Sequence, residues 1–328
     1  MRYPLILPPD AVGLDTAAAL LREGRLVAFP TETVYGLGAI ATNGRAVADI
    51  YAAKGRPSFN PLIAHYPDAS AVSRDVVLSP LAEKLARHFW PGPLTLVLKR
   101  QPDTTVSPLL SAGLDTLAVR VPAHPVANAL LKACGIPVAA PSANRSNRIS
   151  PTTSDHVRRS LGARVHAIVD GGPCVVGVES TVVDATGDVP VVLRQGGLPM
   201  EAIAEIAGTV GLPGAGNGGS VPRSPGMLKR HYAPGVPMRL NARSANAGET
   251  LLGFGPDTPE DVPNLSVSGD LAEAASNLFK LLWELDRPGI NGIAVMPIPD
   301  KGLGRAINDR LRRGAAPEDE GNPDDIDA

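Results

Sequence analysis

The sequence predicts an α/β protein: a large first domain built on a mixed sheet, then a linker and a smaller α/β domain. Three observations lead there. Short helical patterns alternate with β-branched apolar runs from residue 13 to about 207. The last two runs, STVVDA and VPVVLR, are joined by the short TGDV turn and should pair antiparallel, which makes the sheet mixed. A Gly-, Pro- and Ser-rich stretch, residues 211 to 226, then breaks the pattern before further strand-like and helical runs.

Taken in order, Asp15 suits the cap of a helix ending at Gly24, and RLVAFP follows as a strand. Asn43 precedes a helix to about Lys54, stopped by Gly55 and Pro57. Ser79 and Pro80 open a helix whose Leu81, Leu85 and Phe89 share one apolar face, closed by Pro91 and Gly92. LTLVLK, TLAVRVP, PVAAPSA, HAIVD, STVVDA and VPVVLR read as strands, with helices over about 124–134 and 153–161. Later, TLLGFG, NLSVS and GIAVMP read as strands, and residues 270–285 and 303–313 as helices. The divisions are therefore 1–210, a linker over 211–238, a second domain over 239–315 and a tail over 316–328. That tail, APEDEGNPDDIDA, is acidic, nearly free of large apolar residues and expected to be disordered. The linker contains a literal G-x-G-x-x-G at Gly214, Gly216 and Gly219. It follows a helix and loop instead of a strand, and SVPRSP cannot open the helix that a dinucleotide site requires.

Composition narrows the function classes. The chain has 328 residues, ample for a core, and its 31 basic and 33 acidic residues leave a formal charge of -2, so any basic site must be local. Cys134 and Cys174 stand forty positions apart without a C-x-x-C partner, which signals neither a zinc site nor a disulfide framework. MRYPLILPPD is too short and too proline-rich for a signal peptide or a spanning helix. The expectation is a soluble cytoplasmic protein without a membrane partner.

Four polar clusters fall at the ends of apolar runs, where α/β sheets tend to hold ligands. AFPTETVYGLG breaks from a strand into hydroxyls, a pattern that suits either a connector or a ligand wall. AAKGRPSFNPLIAH carries Lys54, Arg56, Asn60 and His65; LDTLAVRVP places Thr116 and Arg120 on one face of a strand; VAAPSANRSNRISP puts Ser142, Asn144 and Ser150 after another. Separately, each has a plain structural reading. Lys54 and Arg56 suit a helix C-terminus, and Ser142 and Asn144 are ordinary turn formers. Together they gather cations, hydroxyls and amides with no nucleophile–base pair or metal-ligand set, which points to an anionic ligand such as a nucleotide.

FPTETVYGLG, KGRP..NPL, WPGPLTLVL, VRVP, APSAN.S..ISPT, VESTVVD and LRQG, in this order and spacing, resemble the threonylcarbamoyl-AMP synthase family, the YrdC-like enzymes of tRNA modification. SPGMLKRHYAP and GLGRAINDRLRRGA resemble the linker and C-terminal end of its long, two-domain form. The resemblance implies a YrdC-like twisted mixed sheet followed by a small Rossmann-like α/β/α domain. It implies synthesis of threonylcarbamoyl-adenylate from L-threonine, bicarbonate and ATP, with magnesium held mainly by the ATP phosphates. A separate transferase complex would then act on tRNA, so direct tRNA binding is not expected. It assigns the K-x-R and S-x-N signature to Lys54, Arg56, Ser142 and Asn144. Thr33, His65, Arg120, the backbone at Ala140, and Ser180 would contact threonine. Arg56, Asn60, Thr116, Ser142, Ser150, Arg194 and Tyr232 would contact ATP, with no protein residue named for the metal. On this view PTETVYG is a ligand wall in which Thr33 offers its hydroxyl while Tyr35 and Gly36 shape the turn, and residues 211–234 close as a lid. Only a dozen residues separate HYAPGVP from TLLGFG, where the family's long form has a full helix. Two rivals are weaker: a carbamoyl-activating relative of hydrogenase maturation carries a zinc-finger region that two cysteines do not supply, and an RNA-binding module fits the near-neutral charge poorly.

Overall fold

The computed structural model describes residues 3–213 and 230–317. β1 (Leu5–Leu7), α1 (Ala11–Arg22), β2 (Val27–Phe29), β3 (Gly36–Ile40) and α2 (Gly44–Lys54) lead to β4 (Ile63–His65). The short α3 (Ala69–Val72), α4 (Pro80–Phe89), β5 (Leu94–Lys99), β6 (Thr116–Arg120) and α5 (Pro125–Cys134) follow. β7 (Val138–Ala139), α6 (Ser154–Leu161), β8 (Ala167–Val169), β9 (Thr181–Asp184), β10 (Val191–Arg194) and α7 (Met200–Ala207) complete the first unit. Its sheet runs β1-β8-β2-β3-β7-β4-β6-β5-β9-β10 and is mixed: β4 lies parallel to β6, while β9 and β10 pair antiparallel. Pleating sends Val27, Phe29 and Val138 to a cluster with Leu21 and Leu130, and Ala28 and Ala139 to a cluster with Val47, Ile50 and Leu85. Helices cover both faces, which is why the central strands read as continuous apolar runs.

The second unit holds β11 (Met238–Arg239), β12 (Glu249–Leu252), α8 (Leu271–Leu285), β13 (Gly292–Val295) and α9 (Leu303–Gly314). Its sheet is parallel in the order β11-β13-β12, with α8 and α9 against each other. The chain passes from β11 to β12 without a helix. The core of this unit, with Leu252, Phe279, Ile293 and Ile307, continues into Val34, Ile149, Val178 and Tyr232 from outside it.

Several local expectations hold. Asn43 caps α2 by accepting from the Arg45 and Ala46 amides, and Gly55 closes it at φ +59. Ser79 caps α4 with Pro80 at its first turn. Others need correction. Asp10, not Asp15, caps α1, accepting from the Gly13 amide at 2.9 Å. The helix starts a turn early because Gly13 admits the Pro8 carbonyl where a Cβ would lie 2.0 Å from its oxygen. NLSVS is not a strand: the Ser266 hydroxyl accepts from the Asp270 amide and donates to Glu273, and such side-chain bonds bend the segment into the start of α8. PVAAPSA is strand only over Val138–Ala139. β1, β3, β4 and β11 were not expected: β1 sits between prolines, β3 is glycine-rich, and β4 and β11 have three and two residues. The G-x-G-x-x-G at 214–219, most of the linker and all but two residues of the acidic tail lie outside the described residues.

Candidate active site

The sheet brings six strand ends together. Thr33 lies just before β3 and Ser142 just after β7, and a bridge between Gly36 and Ser142 joins these segments. His65 and Arg120 end two parallel neighbours and are register partners, so their side chains stand abreast. Ser180 precedes β9, and Arg194 ends β10 beyond a register irregularity after Val192. The cavity between them is lined by Thr33, Val34, Arg56, Ile63, His65 and Arg120, by Ala140, Pro141 and Ser142, and by Glu179, Ser180, Arg194, His231 and Tyr232.

On one side, the Arg120 guanidinium donates to the Thr33 hydroxyl at 2.9 Å and to the Gly92 carbonyl at 3.2 Å, and lies 2.7 Å from Glu32 Oε1. Thr31 and Thr33 share a hydrogen bond at 2.8 Å, and the Thr31 hydroxyl also donates to the Val34 carbonyl, so the PTET turn is tied by its own hydroxyls. His65 Nδ1 lies 3.2 Å from the Ile63 carbonyl. Burial and then the Arg120 charge push its pKa down to about 3, so the imidazole is neutral near pH 7.

On the other side, Arg56 donates to the backbone carbonyls of Asn60 and Pro61, and Arg194 to the carbonyl and hydroxyl of Ser180. Burial brings the Arg56 pKa down to about 10, and burial lowers that of Arg194 as well. Several polar atoms around this half are buried without a hydrogen-bond partner among the described residues: both amide atoms of Asn60, His231 Nδ1 and the Tyr232 hydroxyl. Buried polar groups are normally satisfied, so these atoms fit a ligand with acceptors and donors of its own. Tyr232 is 1% exposed and holds φ +63, the left-handed region that side chains avoid; its ring meets His231 edge-on at 4.0 Å. The cavity volume is about 40 Å³, room for a few waters at roughly 10–15 Å³ each.

The structure thus brings Thr33, Arg56, His65, Arg120, Ala140, Ser142, Ser180, Arg194 and Tyr232 to one cavity wall. Lys54 and Asn144 are not in that wall. Lys54 Nζ donates to the carbonyls of Ser142 and Asn144, each at 2.6 Å, and the Asn144 amide donates to the carbonyls of Arg145 and Arg148, so both shape the loop that presents Ser142. Burial, then Arg56, holds the Lys54 ammonium well below its ordinary pKa. Asn60 and Ser150 are fully buried beside the wall: the Asn60 carbonyl receives Arg56, and the Ser150 hydroxyl donates to the wall residue Glu179. Thr116 is outside it, half-buried at the start of β6, about 13 Å of strand from Arg120. Tyr35 turns its hydroxyl to the Gly172 carbonyl, and Cys134 and Cys174 are both free and buried. Sequence reasoning did not single out Glu32, Glu179 or His231. All three sit inside quoted motifs, and the signal was their place between strand ends and hydroxyls. No group of three or more His, Cys, Asp or Glu side chains suited to a metal ion occurs among the described residues.

Against known proteins, a family model covering Sua5, YciO and YrdC, described as telomere recombination, matches residues 19–196. A model described as threonylcarbamoyl-AMP synthase, C-terminal domain, matches residues 198–316. The chain is 43% identical to a threonylcarbamoyl-AMP synthase of Bacillus subtilis, covering 91% of this chain and 92% of the relative. It is 44% identical to one of Pyrococcus abyssi, covering 91% and 93%. Its fold is similar to the crystal structure of P. abyssi Sua5 complexed with L-threonine, with a TM-score of 0.87, 38% identity, and coverage of 96% of this chain and 98% of that one.

Proposed function

The chain belongs to the threonylcarbamoyl-AMP synthase family, its activity is formation of threonylcarbamoyl-adenylate for tRNA modification, and from that premise we propose how its residues carry the reaction. L-Threonine binds at the Thr33–Arg120–His65–Ser180 side with its carboxylate on Arg120, and ATP binds on the Arg56–Arg194–Ser142 side. The observation that carries the reading is this division of one cavity. A guanidinium locked against a threonine hydroxyl stands on one side, and two further guanidiniums with unsatisfied buried polar atoms stand on the other.

The threonine amine attacks bicarbonate as the free base, and water leaves as the carbamate forms. A carbamate oxygen then attacks the α-phosphorus in line while the bond to the β-phosphate breaks and pyrophosphate departs. Positioning and charge neutralisation suffice for transfer at phosphorus, so Arg56 and Arg194 act as charge stabilisers and no covalent nucleophile is needed. Magnesium would be held mainly by the ATP phosphates, since it needs few protein ligands, and would supply neutralisation of their charge beside Arg56 and Arg194. Neutral His65 orients the amine by hydrogen bonding and is too acidic, at about 3, to store its proton near pH 7. Lys54 and Asn144 work through the loop they hold, as positioning residues. Thr116 has a role in ATP binding only if β6 and its surroundings shift.

His231 and Tyr232 fill space that a nucleotide needs, so the segment carrying them yields as ATP enters and then covers it. The product passes to a separate transferase complex acting on tRNA, without direct tRNA binding by this chain. The reading assigns the reaction to the cytoplasm; no helix among the described residues is long and apolar enough to cross a membrane. The test is pyrophosphate release with ATP, magnesium and bicarbonate, with and without L-threonine, and the mass of the nucleotide product. Threonine-dependent pyrophosphate with a threonylcarbamoyl-adenylate mass supports the reading, and release indifferent to threonine refutes it.

A further inference from the structure

We infer that the C-terminal unit is a working part of the nucleotide site, with Arg310 of α9 acting as a positioning residue on Ser150 through Glu179. The inference rests on the reading that Ser150 and Glu179 border the ATP half of the cavity.

Arg310 is 1% exposed, and a guanidinium so deeply buried must be paired. Its Nε donates to Glu179 Oε2 at 3.0 Å, its Nη1 reaches the Gln195 carbonyl and Asp309, and its Cζ lies 5.2 Å from the Tyr232 ring centroid. Burial opposes its charge, but Tyr232, Glu179 and Asp309 more than offset that and hold it protonated. Glu179 lines the cavity, and its other oxygen accepts the Ser150 hydroxyl. The Ser150 carbonyl in turn accepts from Trp283 Nε1 of α8 at 3.1 Å. Trp283 is itself clamped: His156 stacks on it at 4.9 Å with the planes 9° apart, and the Arg159 guanidinium lies 4.9 Å from its ring centroid.

Ser150 is therefore held from the second unit directly at its carbonyl, by Trp283, and indirectly at its hydroxyl, through Glu179 and Arg310. The approach is close along the chain as well. Gly177, two residues before Glu179, holds φ +75, and a Cβ there would lie 2.4 Å from the Ala275 carbonyl oxygen of α8. Arg310 also does something electrostatic. Glu179 is a carboxylate in the wall of a cavity whose other charged side chains are Arg56, Arg120 and Arg194. Paired with Arg310 it is neutralised; stripped of that partner it repels a polyphosphate at short range and in low dielectric. The GRAINDRLRRGA motif at the far end of the chain is thus explained by what Arg310 does at the cavity.

The test uses the full chain and the variants Arg310→Met and Arg310→Met with Glu179→Gln. It reads KM for ATP and for L-threonine in pyrophosphate release, and binding of a non-hydrolysable ATP analogue by calorimetry. Arg310→Met should weaken ATP about tenfold, or about 1.4 kcal/mol, while the KM for threonine stays within about twofold. Removing the stranded carboxylate in the double variant should restore part of the ATP affinity, which a merely structural Arg310 does not predict. ATP affinity unchanged in folded Arg310→Met, or ATP and threonine weakening together without rescue, would overturn the inference. If Arg310→Met does not fold, Trp283→Phe keeps the ring stack and deletes the bond to Ser150. It should weaken the ATP analogue about threefold, and an unchanged affinity overturns the proposal. Wild-type protein that binds the analogue yet releases no threonine-dependent pyrophosphate would refute the functional reading instead, and the calorimetric comparison would still judge Arg310.

Discussion

Glu32 and Arg120 face each other at 2.7 Å, each side chain less than a tenth exposed. The pair stands behind the Arg120–Thr33 hydrogen bond, so a carboxylate within the protein sets the guanidinium proposed above to take the threonine carboxylate. Glu32→Gln leaves Arg120 buried and without its counter-charge, and breaking such a pair costs about 3–5 kcal/mol. The expected outcome is a lower melting temperature and a KM for threonine raised well above that for ATP. Equal changes in the two KM values would count against the positioning role. Burial pushes the Glu32 carboxyl up, but Arg120 more than compensates and holds it below its ordinary 4.5. The pair's contribution is therefore present above about pH 4.5 and is lost as pH falls through the lower, folded value.

The buried histidines set acid sensitivity earlier than any carboxylate. Burial takes His65 from 6.5 to about 3 and His156 from 6.5 to about 4, in each case with a nearby arginine adding to the shift, and it holds His231 well below 6.5. The unfolded chain takes up protons from pH 6.5 downward while the folded chain does not. Stability should therefore fall from about pH 6.5 toward those lower values, by about 1.4 kcal/mol per pH unit for each such histidine. Denaturant titrations at pH 7, 6 and 5 measure the slope, and His65→Asn should make it shallower by about one proton. An unchanged slope would mean that His65 is protonated in the folded protein.

Much of this was legible because the site lies at strand ends. PTET, the V-R-V-P strand and S-x-N each break an apolar strand run with polar residues, K-x-R breaks the end of helix α2, and strand ends are where a mixed α/β sheet opens. Asn43, Gly55 and Ser79 announced their helix ends through local side-chain geometry, which sequence carries directly. What sequence could not carry was set by distant contacts. The Asp10 cap depends on the approach of Pro8 to Gly13, and three-residue β4 forms because β6 and β7 flank it. The division of labour between Arg56, in the wall, and Lys54, behind it, hinges on where residues 142–144 return, ninety positions later. Glu179 reads as one more residue of a strand motif until Arg310 arrives from the end of the chain.

Gly196 lets the segment after β10 lie directly on the backbone that carries Glu179 and Ser180. A Cβ there would be 2.3 Å from the Glu179 carbonyl oxygen and 2.3 Å from the Ser180 carbonyl carbon, and the neighbouring Gly197 amide donates to that Glu179 carbonyl at 2.9 Å. Backbone atoms cannot rotate away as a side-chain tip does. Gly196→Ala should therefore destabilise the protein by about 1–3 kcal/mol and lower turnover, because Arg194 is held through the displaced Ser180. Melting temperature and pyrophosphate release measure both effects, and wild-type values for each would show that the segment shifts without strain.

Arg56 and Lys54 should fail in different ways. Arg56 faces the cavity and donates to the carbonyls of Asn60 and Pro61, so Arg56→Ala opens space continuous with that cavity, through which water can reach and satisfy the two carbonyls. Threonine-dependent pyrophosphate release should be abolished with the melting temperature nearly unchanged. Lys54 Nζ instead satisfies the carbonyls of Ser142 and Asn144 in a buried setting. Lys54→Met removes the ammonium and keeps the bulk, leaving those acceptors unpaired at about 1–3 kcal/mol each. It should lower the melting temperature and loosen the loop bearing Ser142, so that ATP affinity and turnover fall together. A Lys54→Met protein as stable as wild type but inactive would move Lys54 from the loop to the reacting phosphates, with a rotamer that enters the cavity when ATP is bound.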